Sequence, residues 1–268
     1  MTIESIGLTR PFPARGMWSR LRFAGLLVAG TLFYVACFHF SQIDLAKLWT
    51  GLPRLATWLA RGRPPDFSDI DTLLVRAVET VAMATVGTTL GLVLAAPLCL
   101  LAARNTSPSR WLHYPARWLL NTLRGIDSFV FALIFVAAVG LGPFAGVIGV
   151  GLHVAGTFGK LWSEAIEAIE PGPLDAAAMS GAGRLKVILY ALLPDVLPNL
   201  TSIALYLWEF NVRASTVLGI VGAGGIGQEL KNSIDLLAFD RLFTILMIVL
   251  VMVTAIDQLS AWLRRRIT

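Results

Sequence analysis

Five polar side chains recur along one apolar stretch in the last third of the chain: Ser202, Tyr206, Glu209, Arg213 and Thr216. Steps of 4, 3, 4 and 3 residues put all five on one face of a helix. A charge at mid-membrane costs roughly 2.5–3.5 kcal/mol on insertion scales, so Glu209 and Arg213 must pair with each other or face water or protein. Two chemistries fit. The stripe would line a polar path, with Arg213 offering positive charge to an anionic solute, or the pair would be a buried clasp pinning helices together. A catalytic use of the same face lacks a companion nucleophile–base pair or metal cluster. His39, His113 and His153 are far apart in sequence and make no metal set. His153 is expected to be packed or to line a path.

A second constellation follows. Val221 to Gly227 contains a literal G-x-G-x-x-G in Gly222, Gly224 and Gly227, with Gly225 between them. A dinucleotide site needs a strand before such a motif and a βαβ unit around it. Here an apolar span precedes it, and the chain enters another apolar span about 15 residues later. The expectation is a closely packed external turn or gate. No G-x-x-x-x-G-K-[ST] occurs, so if ATP drives this protein another chain must hydrolyse it.

The elements that hold these residues follow from composition. Of 268 residues, 56% are hydrophobic, against roughly 45–50% in soluble domains. This predicts an all-α, polytopic membrane protein. The net charge of +5 sits in arginines beside apolar runs, as topology signals do, and nucleic acid is not an expected partner. Cys37 and Cys99 both lie in apolar runs and read as buried thiols. Residues 1–20, basic and with Pro11 and Pro13, predict a cytoplasmic arm. The apolar run after Arg20 and Arg22 continues past Cys37, so it reads as an uncleaved first span, Leu21–Phe40, rather than a signal peptide. Residues 21–75 comprise that span and an external segment. In the latter, Leu45, Leu48, Trp49, Leu52, Leu55 and Leu59 recur at helical spacing and suit an interfacial helix. Span two is read at Val78–Ala103, with Gly87 and Gly91 as a close-packing face. A basic cytoplasmic loop, 104–117, leads to span three within Trp118–Leu141. Span four is the glycine-rich Phe144–Trp162, span five Leu200–Val221 and span six Leu242–Leu263. Arg124 and Asp127 read as an ion pair at one end of span three. Asp257 is expected to snorkel or to pair with Arg264–Arg266.

The stretch from Glu164 to Asn199 cannot sit in lipid. Pro173 suits a helix first turn, Asp175 is expected near a helix N-terminus, and Ala176, Ala177 and Ala178 are strong helix formers. Gly181 and Gly183 would end that helix. Asp175-Ala176-Ala177, Gly181 and Leu193-Pro194 have the spacing of E-A-A-x3-G-x9-I-x-L-P, with Asp175 in place of Glu and Ala191 in place of Ile. This resembles the EAA loop of ABC-importer permeases.

The likeness extends over most of the chain from residue 76. It is carried by Leu101–Asn105, Gly140–Gly146, Gly159–Leu161, Glu164–Glu167 and Glu209–Gly219, which look like phosphonate importer permeases. One departure is Arg124-Gly125-Ile126-Asp127-Ser128, where that family usually has Pro-Glu at the last two positions. The resemblance implies a type I, MetI-like permease core over 76–268 with six membrane helices in all. It implies a cytoplasmic coupling loop at 164–199 that docks on an ATP-binding subunit. The implied partners are a second copy, two ATP-binding subunits carrying ATP and Mg, an external solute-binding protein and the lipid bilayer, with no cofactor on this chain. The implied function is phosphonate uptake by alternating access, with phosphite, phosphate or methionine as other solutes and an embedded enzyme as the rival class. The topology is testable: reporter fusions after Ile169 and Arg266 should report cytoplasm and one at Asn232 the outside, and a cytoplasmic signal at Asn232 would break the six-span scheme.

Overall fold

The computed structural model describes residues 17–62 and 64–267. The expected basic arm falls mostly on residues 1–16, outside the described residues. The chain divides into two compact units, one ending at Thr57 and one beginning at Trp58. The first holds α1 (Met17–Phe40) and most of α2 (Leu45–Arg61). Helix α1 starts at Met17, ahead of the expected Leu21, and takes Arg20 and Arg22 into its first turns. The Asp44 carboxylate opens α2 by accepting the N–H groups of Ala46 and Lys47 at 2.9 and 3.1 Å.

The second unit is built around α6 (Pro143–Glu167), which packs on α3 (Ile70–Ala102), α4 (Arg110–Gly125), α5 (Ser128–Val139) and α9 (Leu193–Leu218). Glycine makes this possible. A Cβ at Gly87 would lie 2.8 Å from the Val150 Cβ, and one at Gly151 would lie 2.8 Å from a Leu90 methyl. With no side chains there, α3 and α6 approach backbone to backbone. Met83, Val150, Val154, Phe158, Leu207 and Leu218 fill the core between α3, α6 and α9.

Span three differs from its expectation. It is two helices, α4 and α5, bent by 86° at Ile126-Asp127, and α4 begins at Arg110 inside the stretch expected to be a loop. The bend is satisfied on both sides. Asp127 caps α5 by accepting the Phe129 N–H at 2.9 Å, and the Ile126 carbonyl lies 2.8 Å from His153 Nδ1 on α6. The expected Arg124–Asp127 pair is not formed, because the bend puts the two residues on different helices and the carboxylate serves as a cap. Gly149 and Gly156 let both arms close on α6: a Cβ at Gly149 would sit 2.8 Å from Ala132 N, and one at Gly156 would meet the Arg124 backbone N.

Span five is longer than expected. It runs without a break from Arg184 to Val221, through α8 (Arg184–Val187), a π-helical turn (Ile188–Leu192), α9 and a 3-10 turn (Gly219–Val221). Pro194 has no N–H for the Tyr190 carbonyl, and the helix widens to a π turn at that point. Leu193 and Pro194, expected in the loop, therefore open α9. Helices α7 (Pro171–Met179), α10 (Ile226–Asp235) and α11 (Phe239–Ile267) complete the unit. Among the described residues five helices are long and apolar enough to cross a membrane, and six spans result when the bent pair counts as one. Gly149→Ala should lower the thermal midpoint of the detergent-solubilised chain, by about 1–3 kcal/mol of overpacking. Gly172→Ala, with nothing within 4 Å of its new methyl, should leave it unchanged.

Candidate functional site

The polar stripe on α9 divides between two neighbours. Glu209 and Arg213 turn toward α11. Glu209 lies 3.5 Å from Arg213 and 3.0 Å from Arg264, and Arg213 lies 3.3 Å from Asp257. Two carboxylates and two guanidiniums thus alternate across the α9–α11 contact. Glu209 is the most enclosed, its side chain 15% exposed, while that of Arg213 is 51% exposed. Asp257 pairs with Arg213 instead of the terminal arginine cluster. Antiparallel packing explains the exchange: Arg213 lies level with Asp257, and Glu209, one turn nearer the α9 N-terminus, lies toward the Arg264 end of α11. Ser260 adds a hydroxyl bond of 3.2 Å to the Leu205 carbonyl of α9.

Tyr206 turns toward α6. It lines a cavity of about 250 Å³ with His153, Thr157, Phe210 and Asn211. A carbonyl can only accept, so the His153 bond to Ile126 places a proton on Nδ1. Nε2 then faces Thr157 Oγ1 at 3.4 Å. Asn211 is buried and donates to Thr88 Oγ1 at 3.0 Å. Ser202 is half-buried on the same helix, and the Thr216 hydroxyl is spent on the Arg213 carbonyl at 2.7 Å. Asn211, Thr88 and Thr157 were not singled out from sequence. Their signal was there: polar residues facing each other across three glycine-rich or apolar helices.

The glycine segment closes the opposite end of the unit. Gly222, Gly224 and Gly225 all have positive φ, at 86°, 80° and 72°, which glycine alone adopts without strain. Ala223 and Ile226 are fully buried. Gly142 N–H donates to the Gly222 carbonyl at 2.9 Å, and Ile226 N–H donates to Thr80 Oγ1 on α3 at 2.8 Å. A Cβ at Gly227 would meet the Thr216 carbonyl. The segment is filled by its own protein, and no strand precedes it among the described residues, so it is a packed turn and not a nucleotide cradle. Beside it lies an ion cluster that the sequence reading missed. Arg76 pairs with Glu79 at 2.7 Å, and Arg241 pairs with Glu229 at 3.1 Å and Asp69 at 3.4 Å. Outside the spans, the Ser68 N–H and hydroxyl hold the Asp66 carboxyl below its ordinary value.

Helix α7 stands at the other end with no buried residue. Glu170 is its N-cap and Pro171 and Pro173 fall in its first turn, so Asp175 sits in the second turn and not at the N-terminus as expected. Asp175 and Ala176 are exposed, and Ala177 is half-buried. Leu174 anchors the helix on a cluster that includes Cys99, Ile166, Leu192 and Val196. Gly181, at φ 82°, ends it. The base is stitched to the α3–α4 connection: Glu167 accepts the Arg104 N–H and an Arg117 N–H, each at 2.9 Å, and Arg184 donates to the Thr106 carbonyl at 2.7 Å.

Residues 87–268 match the family model described as the inner membrane component of binding-protein-dependent transport systems. Among relatives, a putative phosphite transport system permease protein, HtxC of Stutzerimonas stutzeri, is 52% identical over 90% of this chain and 86% of its own length. The phosphite transport system permease protein PtxC of the same organism is 40% identical over 93% of this chain and 90% of its own. The phosphate-import permease protein PhnE of Mycolicibacterium smegmatis is 39% identical over 97% of this chain, which covers 48% of that relative. The fold is similar to that of the MetNI methionine ABC transporter in an inward-facing form, with TM-score 0.65 and 24% identity over 75% of this chain and 99% of that one. An all-helical chain of up to six spans, matched by the family model over its last two-thirds and by these permeases over nine-tenths of its length, is a transport subunit and not an enzyme: it belongs to the inner-membrane components of binding-protein-dependent ABC transport systems.

Proposed function

We propose that this chain forms the membrane path of an ATP-driven importer for a phosphorus oxyanion: phosphonate, or the related phosphite or phosphate. The observation that carries the solute class is the 52% identity to a permease named for phosphite along nine-tenths of the chain. Methionine rests on a likeness of fold at 24% identity and is the weaker reading. In this proposal two copies face each other, two ATP-binding subunits hold ATP and Mg, and an external binding protein delivers the solute. Both chain termini and α7 lie on the cytoplasmic side.

The path would run along α9, where Ser202, Tyr206 and Thr216 join Thr157 and Asn211 as uncharged hydrogen-bonding groups beside His153, and where half-exposed Arg213 supplies attraction to an anion. Neutral donors suit a carrier, since a site that binds too tightly cannot release inward. Asp175, Ala176, Ala177 and Gly181 would form the coupling face, with Leu193 and Pro194 at the base of α9. Motion of α7 would pass through α8 and the π turn into α9, opening the path by alternating access. The glycine turn at Gly222, Gly224, Gly225 and Gly227 would close the outer end.

Three measurements check this reading. Proteoliposomes carrying the whole complex and its binding protein should accumulate labelled phosphite or phosphonate on ATP addition, and methionine uptake in their place would overturn the solute class. Gly181→Leu and Asp175→Lys should each reduce uptake several-fold and loosen the ATPase subunit while the chain still inserts; wild-type uptake with the ATPase bound would remove α7 from coupling. For the charged pair, Glu209→Gln takes a carboxylate from Arg264 while Arg213 keeps Asp257, and Arg213→Gln takes a guanidinium from Asp257 while Glu209 keeps Arg264. With the Arg264 and Asp257 side chains 29% and 40% exposed, each single variant should cost about 1–2 kcal/mol, below the figure for a dry pair. The double variant should be milder in stability, since Arg264 and Asp257 can then pair. If Arg213 also attracts solute, uptake per assembled complex should stay low in the double variant. Full recovery of uptake would leave the pair as a clasp alone.

A further inference from the structure

The connection between α3 and α4 encloses a cavity of about 660 Å³, lined by Arg104, Ser107, Ser109, Arg110, His113 and Tyr114. It lies at the α7 end of the unit, away from the path along α9. Among the described residues neither the Arg104 nor the Arg110 side chain has an ion-pair partner. The neighbouring carboxylate is already used: Glu167 takes the Arg104 backbone N–H and pairs with Arg117 at 2.9 Å. The wall is fixed from α8, where Arg184 donates to the Thr106 and Ser107 carbonyls at 2.7 and 2.5 Å.

The N-terminus of the 16-residue α4 opens on this cavity at Ser109 and Arg110. The first N–H groups of a helix have no partner within it. Ser109 is the N-cap, yet its side chain makes no capping bond. A second and independent observation is His113. It is 8% exposed, it lines the cavity, and its Nδ1 has no hydrogen-bond partner. A buried ring nitrogen left without a partner costs stability unless something meets it. The Ser107 hydroxyl donates to the Ser109 carbonyl at 3.1 Å, and that carbonyl also takes the Leu112 N–H. The two unpaired guanidiniums, the Ser109 hydroxyl, the N–H groups of Arg110 and Trp111 and the orphaned imidazole together ask for one complement, an anion with several acceptor oxygens.

We infer that this cavity binds a phosphate-type oxyanion, presented as the phosphodiester of an anionic lipid headgroup or as free phosphate. The two sources share their chemistry and separate by experiment. The full chain is reconstituted into nanodiscs of phosphatidylcholine alone, and inorganic phosphate is titrated calorimetrically. In a second arm the nanodiscs contain phosphatidylglycerol, and lipid retained by the chain is counted by native mass spectrometry. The comparison is wild type against Arg104→Gln/Arg110→Gln, which removes two exposed charges from no ion pair. Phosphate affinity that falls roughly tenfold or more in the double variant assigns free phosphate. Phosphatidylglycerol kept by wild type and lost from the variant, with no phosphate binding, assigns the headgroup. Equal behaviour of the two proteins in both arms overturns the proposal, including the case where both bind phosphate, since that ion would sit elsewhere. Should the double variant not fold, Arg110→Gln alone repeats both arms. His113→Gln, read with the same probes, should weaken binding by a smaller factor. None of these readouts depends on transport or on the identity of the carried solute.

Discussion

Every break in a membrane-spanning helix must find its own hydrogen-bond partners, because lipid supplies none. Among the described residues a bend, a π turn and a packed glycine turn depart from regular helix, and each is answered differently. At Ile126-Asp127 the free groups are taken by a carboxylate on one side and an imidazole from α6 on the other. At Pro194 the helix widens into a π turn and keeps its continuity. At Gly222–Gly225 the chain turns back on itself, and Gly142 and Thr80 from two other elements complete the bonding. The charges obey the same rule, alternating across α9 and α11 so that each enclosed carboxylate meets a guanidinium.

Helix α6 is where these solutions meet. Its glycines admit α3, α4 and α5 to near contact, and its His153 holds the bend of span three while lining the cavity beside Tyr206. The residue that secures the fold at the bend is therefore the residue that faces the candidate path. A packing change on α6 is felt at both places, which ties the shape of the path to the angle between α4 and α5.

Much of this was legible in the chain itself. Apolar length gave the number of spans, Gly87 and Gly91 gave a close-packing face on α3, and Pro173, the alanines after it and Gly181 gave a short helix ended by glycine. The polar stripe was read as one face, and in the structure Glu209 and Arg213 meet α11 while Tyr206 meets α6. Its division was not legible, because the side chains that divide it, Arg264 and Asp257, come from a helix whose antiparallel register no local pattern records. The bend of span three was hidden for a related reason. Its two arms together are apolar enough to read as one span, and the cap at Asp127 looks like half of an ordinary i, i+3 ion pair until the bend is known. The cluster of Arg76, Glu79, Glu229 and Arg241 joins residues about 150 apart, which spacing cannot reveal.

The packed glycine turn has a consequence for how the chain is made. Thr80 on α3 receives the N–H of Ile226 across 146 residues, and Thr244 bonds the Asp66 carbonyl across 178. Contacts of such sequence separation form late and slowly. During synthesis α3 must therefore wait in the bilayer with one end unsealed while α4 to α9 emerge. The final two helices are the lock, and a ribosome that stalls before α10 leaves a chain in which α3 packs on α6 while its Thr80 end stays unsealed.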